Sequence, residues 1–282
     1  NGTEANLFGL EPNFGCCTAN MHQGWPKLAA HLWMSDGHGG LAAVSYAPCR
    51  VDAPVGEGEG ARLRMTVDGY YPFREEVRMH LTLDRPATFA VSLRIPGWCE
   101  APEVSVNGES VVIDADAYPQ NGYIRLEREW RDGDRIELRL PMEARMQKRH
   151  LGAVNVERGP LVYALPVQEN WQLLKRRERF HDWELYPASP WKYGILEGSD
   201  VKVVKSERIP MQPFDASSAP VRLTVNGKLV RNWAMDGNNA GTPPIVPQTD
   251  GQPVVELELV PYAGAKLRIA EFPVIASRKH RI

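Results

Sequence analysis

The fold is decided by residues 63–67, where the sequence Leu-Arg-Met-Thr-Val alternates apolar with polar side chains. The same alternation runs through residues 77–83 and 89–95. Because successive side chains of a strand point to opposite faces, this period of two predicts half-buried antiparallel strands. Short strands separated by frequent turns are typical of a β-sandwich. The turn signals are Asp68-Gly69, Asp84-Arg85-Pro86, Pro96-Gly97, Asn107-Gly108, Asn121-Gly122 and Asp132-Gly133-Asp134.

A five-residue pattern suggests that the β-region is duplicated. Val104-Ser105-Val106-Asn107-Gly108 resembles Leu223-Thr224-Val225-Asn226-Gly227. Two related sandwiches in tandem would explain the pattern, and so would the chance recurrence of Asn-Gly hairpins in a β-protein. The two-sandwich interpretation predicts domains at 37–146 and 147–282, with a junction within Pro141–His150.

The first 36 residues differ in character from the rest of the chain. The stretch Thr18–Trp33 carries apolar residues at helical spacing and predicts one substantial helix. Pro26 either opens this helix at its first turn or kinks a longer one. Ser35–Gly40 is expected to end it with a glycine cap. Residues 37–282 are predicted to be mainly β, and a connection rich in aromatic residues is expected between Trp171 and Tyr193.

Composition excludes several classes of protein. The 33 Lys and Arg residues nearly balance the 35 Asp and Glu residues, which argues against nucleic acid as a partner. There is no apolar run of the roughly 20 residues that a membrane span requires. Four cysteines are too few for a disulfide scaffold. The opening Asn1-Gly2-Thr3-Glu4 lacks Met and a signal-peptide pattern, as in a processed terminus or a start inside a larger protein.

The adjacent Cys16 and Cys17 are the strongest chemical signal in the sequence. At the start of a helix, free backbone N–H groups and the helix dipole favour a thiolate, and two thiolates can share one Zn²⁺. Two buried, inert cysteines are the alternative. No second ligand cluster with zinc spacing occurs in the chain, so a four-ligand site cannot be assembled locally.

The segment Phe14-Gly15-Cys16-Cys17-Thr18-Ala19-Asn20 resembles glycoside hydrolase family 127, the β-L-arabinofuranosidases. Met21-His22-Gln23-Gly24-Trp25-Pro26-Lys27 extends the likeness toward one branch of that family. The resemblance implies an (α/α)₆ barrel followed by tandem antiparallel β-sandwiches. Residues 1–36 would then be the C-terminal remnant of the barrel, with the rest of the barrel missing upstream.

The same resemblance implies a mechanism and a substrate. Cys16 would be the nucleophile of a retaining reaction and also a zinc ligand, and Cys17 would be a second zinc ligand. The substrate would be an arabinose-containing glycan. The remaining zinc ligands and the acid/base are expected upstream. Glu4 and Glu11 are the only carboxylates before the cysteines, and neither lies in a Glu-x-Cys context.

Other candidate sites have simpler interpretations. We expect surface or structural roles for His22 and His31, and burial as small hydrophobes for Cys49 and Cys99. Residues 56–60 lack the Lys-Ser/Thr of a phosphate loop, and 175–179 is expected to be a solvated connection. The aromatic residues of 171–191 could stack on sugars or pack internally. Glu75 and Glu76 should point to opposite faces of a strand.

Two functions from different classes remain open. The first is the C-terminal part of a zinc-dependent exo-glycosidase, inactive by itself. The second is a non-catalytic tandem β-sandwich that binds carbohydrate or a partner domain, with structural cysteines.

Overall fold

The structure is a computed structural model that describes residues 5–9, 15–113 and 122–276. Strands dominate it. The elements up to residue 139 are β1 (Leu7–Phe8), α1 (Gly15–Met21), α2 (Gly24–Ala30), β2 (Trp33–Ser35), β3 (Leu41–Ala43), β4 (Cys49–Val55), β5 (Ala61–Gly69), β6 (Glu76–Leu83), β7 (Ala87–Arg94), β8 (Glu103–Val106), β9 (Glu109–Ser110), β10 (Tyr123–Trp130) and β11 (Arg135–Arg139).

The second half of the chain adds thirteen further strands and two short 3₁₀ turns, all within the described residues. The strands are β12 (Ala144–Lys148), β13 (Val154–Arg158), β14 (Leu161–Pro166), β15 (Glu169–Lys175), β16 (Asp182–Pro187), β17 (Tyr193–Leu196), β18 (Lys202–Lys205), β19 (Val221–Leu229), β20 (Met235–Asp236), β21 (Asn239–Ala240), β22 (Val255–Pro261), β23 (Arg268–Ile269) and β24 (Val274–Ile275). The 3₁₀ turns are His150–Gly152 and Tyr262–Gly264.

The chain divides into two compact units. One comprises Met21–Met142, and the other comprises the described parts of 1–20 and 143–282. The first residues of α1 therefore group with the second half of the chain. The sequence-based domain limits at 36 and 146 remain predictions.

The unit Met21–Met142 encloses one hydrophobic core with two sheets. A six-stranded antiparallel sheet has the order β4-β5-β6-β11-β8-β9, and a four-stranded sheet has the order β10-β7-β3-β2. The pair β3–β7 is parallel. Apolar residues from both sheets form a single buried cluster. The alternation in 63–67 is confirmed, since Leu63, Met65 and Val67 are at most 3% exposed and the residues between them are exposed.

The second unit contains a nine-stranded sheet. Its main order is β12-β13-β14-β22-β19-β17-β24, and β18 and β23 pair beside it with β19 and β14. A separate three-stranded sheet has the order β1-β16-β15, and β20 pairs with β21. The expected aromatic connection between Trp171 and Tyr193 is instead the β15–β16 hairpin, closed by the T-shaped contact of Trp171 with Trp183 at 5.9 Å.

The single helix predicted for Thr18–Trp33 is wrong. The structure has two short helices, and Pro26 lies in the first turn of the second. Proline has no N–H to donate to the carbonyl of His22 four residues earlier, and its ring would clash with that carbonyl. The helix therefore breaks before Gly24. Trp33 belongs to β2, where it pairs with Ala43 and is buried.

The segment Ser35–Gly40 is a turn between β2 and β3 and does not cap a helix. Asp36 Oδ1 accepts hydrogen bonds from the backbone N–H groups of His38 and Gly40, both at 2.8 Å. A Cβ on Gly40 would lie 2.6 Å from the Ala90 carbonyl oxygen, so a side chain does not fit there. The turn is held by a carboxylate and by close packing.

The five-residue pattern does not repeat in the structure. Asn107 and Gly108 form the turn of the β8–β9 hairpin, both with positive φ. Asn226 and Gly227 lie inside the continuous strand β19. A Cβ on Gly227 would lie 2.6 Å from the Gly194 carbonyl oxygen, so this glycine allows close approach of β17. The two copies of the pattern therefore have different local structures, and the tandem-sandwich interpretation stays a prediction.

Candidate active-site segment and a cavity in the second unit

Helix α1 places the paired cysteines in its first turn, where both are exposed. Their Sγ atoms are 3.7 Å apart, far beyond the length of a disulfide bond, and both thiols are free. Asn20 Nδ2 donates a hydrogen bond to the Cys16 carbonyl oxygen at 2.7 Å, one turn further along. The helix thus presents two soft donor atoms side by side at its surface.

The spacing of the two sulfurs suits one tetrahedral metal ion. Two sulfurs bound at about 2.3 Å to a tetrahedral Zn²⁺ are separated by about 3.8 Å. The pair therefore fits two corners of a zinc site without rearrangement. A structural zinc site needs four protein ligands, and an open catalytic site needs three. Among the described residues there is no group of three or more His, Cys, Asp or Glu side chains that could hold a metal ion.

The protonation state of the pair differs from what helix geometry predicts. The pKa of Cys17 is raised above its usual value, first by the hydrogen bond with Cys16 and then by the charge of Cys16. A seven-residue helix provides only a short dipole, and two neighbouring thiolates repel one another. The expected lowering of the thiol pKa is therefore wrong for Cys17 in this chain. An added positive charge would favour ionisation of both sulfurs.

The remaining cysteines lie in the β-region. Cys99 is buried in the core of Met21–Met142, and desolvation raises its pKa to about 11. Cys49 is half-buried at the start of β4, where burial also raises its pKa. Both are protonated thiols at neutral pH, as expected of small hydrophobic residues. Glu4 and Glu11 lie outside the described residues.

The histidines have surface positions. His22 follows α1 and is exposed, and His31 Nδ1 lies 2.6 Å from the Lys27 carbonyl oxygen at the end of α2. The expected surface role is confirmed for both. Residues 56–60 form the turn between β4 and β5, and a strand follows them instead of the helix that a phosphate loop requires.

The charged candidates form ion pairs. Arg177 of the basic run lies in the β15–β16 turn, where its Nε donates to the Asp182 carboxylate at 2.8 Å. Glu75 and Glu76 do not diverge as predicted, because both carboxylates reach the guanidinium of Arg139, at 3.4 and 4.0 Å. Glu75 precedes the first residue of β6, so strand alternation does not apply to it.

A cavity of about 450 Å³ lies within the second unit. Its wall includes Trp191, at the end of the aromatic region noted in the sequence, and Trp233 from a later loop. Asn6 and Arg268 add polar groups from distant parts of the chain. Sequence reasoning included Trp191 among the aromatic residues that could stack on sugars, but it missed the other three because no local pattern joins positions that far apart.

A comparison with known families finds a match within the unit Met21–Met142. Residues 40–142 match the family model "Beta-L-arabinofuranosidase, GH127 middle domain". The resemblance to glycoside hydrolase family 127 is confirmed. The matched region covers the strands from β3 to β11. It begins after the paired cysteines, so the family-127 match and the cysteine segment are independent observations.

Solved structures of family 127 share the fold over nearly the whole chain. The GH127 β-L-arabinofuranosidase Ara127N-Se from Geobacillus stearothermophilus T6 superposes with a TM-score of 0.65 at 22% identity. It matches 94% of this chain, which corresponds to 38% of that enzyme. The GH127 β-arabinofuranosidase BT3674 gives a TM-score of 0.66 at 19% identity, with 95% of this chain and 40% of BT3674 covered.

A third structure, described as a glycoside hydrolase, gives a TM-score of 0.62 at 21% identity over 93% of this chain and 40% of its own. The chain thus spans about two fifths of the length of these three structures. No curated protein matches it by sequence. Within the described residues, no helix is long and apolar enough to span a membrane.

Proposed function

We propose that the chain is the C-terminal part of a retaining, zinc-dependent exo-glycosidase that resembles the β-L-arabinofuranosidases. The observation that carries the proposal is the pair of exposed, free thiols 3.7 Å apart in a chain whose residues 40–142 match the GH127 middle domain. Residues 1–36 are then the last piece of an (α/α)₆ barrel. The other zinc ligands and the acid/base lie upstream of this chain.

Cys16 is the nucleophile and Cys17 the companion ligand in this proposal. In the first step the Cys16 sulfur bonds to the anomeric carbon while the bond to the leaving oxygen breaks, and the upstream acid protonates that oxygen. In the second step a water attacks the anomeric carbon, gives its proton to the same group, and the carbon–sulfur bond breaks. Two inversions at one carbon retain its configuration.

The pKa of Cys17 supports a metal as part of the proposal. The raised pKa of Cys17 disfavours its thiolate next to Cys16. A bound Zn²⁺ would supply the positive charge that holds both sulfurs deprotonated. The Asn20 side chain holds the Cys16 carbonyl and so fixes the backbone from which both thiols project.

The roles are tested by single substitutions in the longer protein, with an activated β-L-arabinofuranoside as substrate. Cys16→Ser should lower turnover by at least about a thousandfold with zinc partly retained, because a serine hydroxyl is a weaker nucleophile at neutral pH. Cys17→Ser should lower zinc content and turnover together. Cys49→Ser is the matched control and should keep both zinc and activity.

Chemical trapping decides between the two thiols. An electrophilic arabinose analogue should label Cys16, as located by peptide mass spectrometry. Labelling of Cys17 would make Cys17 the nucleophile. Full activity of Cys16→Ser would rule out the proposed mechanism. The 282-residue chain with added zinc should show no measurable turnover. Turnover by that chain would mean that the active site is complete within it.

A non-catalytic role is the second candidate, and the cavity of the second unit favours it. A tandem β-module could bind carbohydrate there while its cysteines serve structure alone. The upstream coding sequence separates the two candidates. Several hundred residues of helical repeats with a Glu-x-Cys motif would support the enzyme, and a start codon close to residue 1 would support the module.

A further inference from the structure

The cavity in the second unit has the size and the mixed lining of a small-molecule site. Its volume of about 450 Å³ falls within the roughly 300–1,000 Å³ range of ligand pockets. Aromatic rings and polar groups share the wall, including Trp191, Trp233, Tyr262, Asn6, Lys266 and Arg268. None of the cavity-lining residues belongs to α1.

Asn6 is the polar group that points most clearly to a ligand. The residue is 3% exposed, and neither Oδ1 nor Nδ2 has a hydrogen-bond partner of normal geometry in the part of the chain that the structure describes. Its one side-chain interaction within the described residues is with Tyr186: desolvation and Glu184 raise the pKa of Tyr186, and the hydrogen-bonding contact with the Asn6 side chain lowers it. A buried amide without full partners is destabilising unless a bound group supplies them. Sugar hydroxyls both donate to and accept from such an amide.

The tryptophans supply an apolar face beside this amide. Trp191 is half-buried, and its ring centroid lies 5.2 Å from that of Trp233 at 71°. Trp233 is buried, and its Nε1 donates to the Gly241 carbonyl oxygen at 2.6 Å. The buried ring thus fixes the half-buried one, which leaves Trp191 preorganised for a flat apolar ligand face.

The charged groups of the wall are only partly engaged. Arg268 lies 3.8 Å over the Tyr262 ring, and its Nη1 donates to the Lys266 carbonyl oxygen at 3.0 Å. Lys266 Nζ lies 5.5 Å over the Trp171 ring, and Glu271 forms an ion pair with Arg149 at 3.3 Å. Arg268 Nε is a buried donor without a hydrogen-bond partner in the part of the chain that the structure describes, and a sugar hydroxyl can accept from it.

We propose that this cavity binds a sugar residue of a neutral glycan. Trp191 stacks on the apolar face of the ring, and the Asn6 amide exchanges hydrogen bonds with its hydroxyls. The choice of a glycan as ligand rests on the proposed function. Binding here would hold the protein on a polymeric substrate without taking part in bond cleavage.

The test measures binding of short arabino-oligosaccharides to the 282-residue chain by calorimetry and saturation-transfer NMR. Saturable binding is expected, and Trp191→Ala should weaken it by about tenfold or more. Asn6→Leu removes the incompletely partnered amide without opening space, so it should reduce binding while the melting temperature stays equal or rises. Trp25→Ala, at an exposed tryptophan outside the cavity, should change nothing.

The outcomes separate this proposal from the glycosidase proposal. Cys16→Ser should leave the binding intact, since its thiol does not line the cavity. Xylo-oligosaccharide binding that depends on Trp191 would support the cavity site and count against arabinose as the substrate. Absence of saturable binding, affinity unchanged by Trp191→Ala, or binding of oligogalacturonides alone would overturn the inference.

Discussion

Apolar side chains are buried in the sheets of Met21–Met142 and exposed on the helices that precede those sheets. In β5–β7 the alternating apolar side chains are buried, as with Met65 and Leu93 at 0% exposure. On the helices Met21 is 75% exposed, Trp25 71% and Leu28 50%. Apolar residues concentrated on a surface mark a contact face. The contrast supports the proposal that the sheets form a self-contained core and the helices belong to a larger barrel.

Thiol reactivity gives the largest expected difference between the two regions. Alkylation requires access, and Cys99 becomes accessible only when its core opens, whereas Cys16 and Cys17 are exposed in the folded chain. Native Cys99 should react at least about a thousandfold more slowly than Cys16. Pulsed alkylation followed by peptide mass spectrometry measures the rates.

The same experiment has a pH dependence. The thiolate is the reactive form, so the raised pKa of Cys17 should keep its rate below that of an ordinary exposed thiol at pH 7 and make it climb as the pH rises. Denatured chain is the control, in which the cysteines should react alike. Fast labelling of native Cys99 would mean that the core of this unit opens readily.

A matched pair of Leu→Ala substitutions tests the contrast in stability. Leu93→Ala removes a fully buried side chain from β7 and should cost about 2–5 kcal/mol of unfolding free energy. Leu28→Ala, on the exposed face of α2, should change it by no more than about 0.5 kcal/mol. Urea unfolding with comparison of midpoint and slope measures both. A similar loss for Leu28→Ala would show that α2 is packed within this chain.

The same contrast explains what could be predicted from sequence. A period-two pattern such as 63–67 fixes both the strand and its buried face, because the neighbouring strands that cover it lie in the same chain. Helical period predicted an apolar face for Thr18–Trp33, but tertiary packing placed Trp33 in a strand and Pro26 broke the helix. The sequence pattern did allow for Pro26 opening a helix at its first turn, as it does in α2, but local pattern alone could not foresee that Trp33 joins a strand.

The two candidate sites also differ in how far they could be predicted from sequence. The paired cysteines are neighbours in sequence, so their proximity follows from the sequence alone. The cavity joins Asn6 to residues more than 180 positions later, and only the folded chain brings them together. At Gly227 a local pattern was misleading. An Asn-Gly pair usually signals a turn, but here the glycine lies inside a strand and allows close packing of a neighbouring strand.

A substitution in the turn between β2 and β3 should change the unfolding free energy by an intermediate amount. Asp36→Asn should cost about 1 kcal/mol at pH 7, because the amide weakens the bonds to two backbone N–H groups and to Arg125. Burial alone would raise the pKa of Asp36 in the folded state, but these bonds outweigh it and the pKa is lowered. The stabilisation is therefore complete above the unfolded pKa and is lost as the pH falls through the folded one.

Urea unfolding at pH 7 and near pH 3 measures this dependence. The difference between Asp36→Asn and the original chain should shrink at the lower pH. Asp52→Asn is the matched control, since that carboxylate also pairs with arginines but is 47% exposed, and it should matter far less. A difference that grows toward acid pH would contradict the lowered pKa of Asp36.

Of these changes, adding zinc should alter the unfolding free energy of this chain the least, and the size of that change tests whether the metal site is complete. A ligand stabilises a protein by RT ln(1 + [L]/Kd), so weak binding by two thiols alone gives little. Micromolar zinc should raise the unfolding free energy by less than about 0.5 kcal/mol, which is a melting shift of about 2 °C at most. Cys16→Ser/Cys17→Ser should remove whatever shift there is. A shift of about 10 °C that this variant abolishes would mean that the chain completes the metal site itself, and the expected upstream ligands would then be unnecessary.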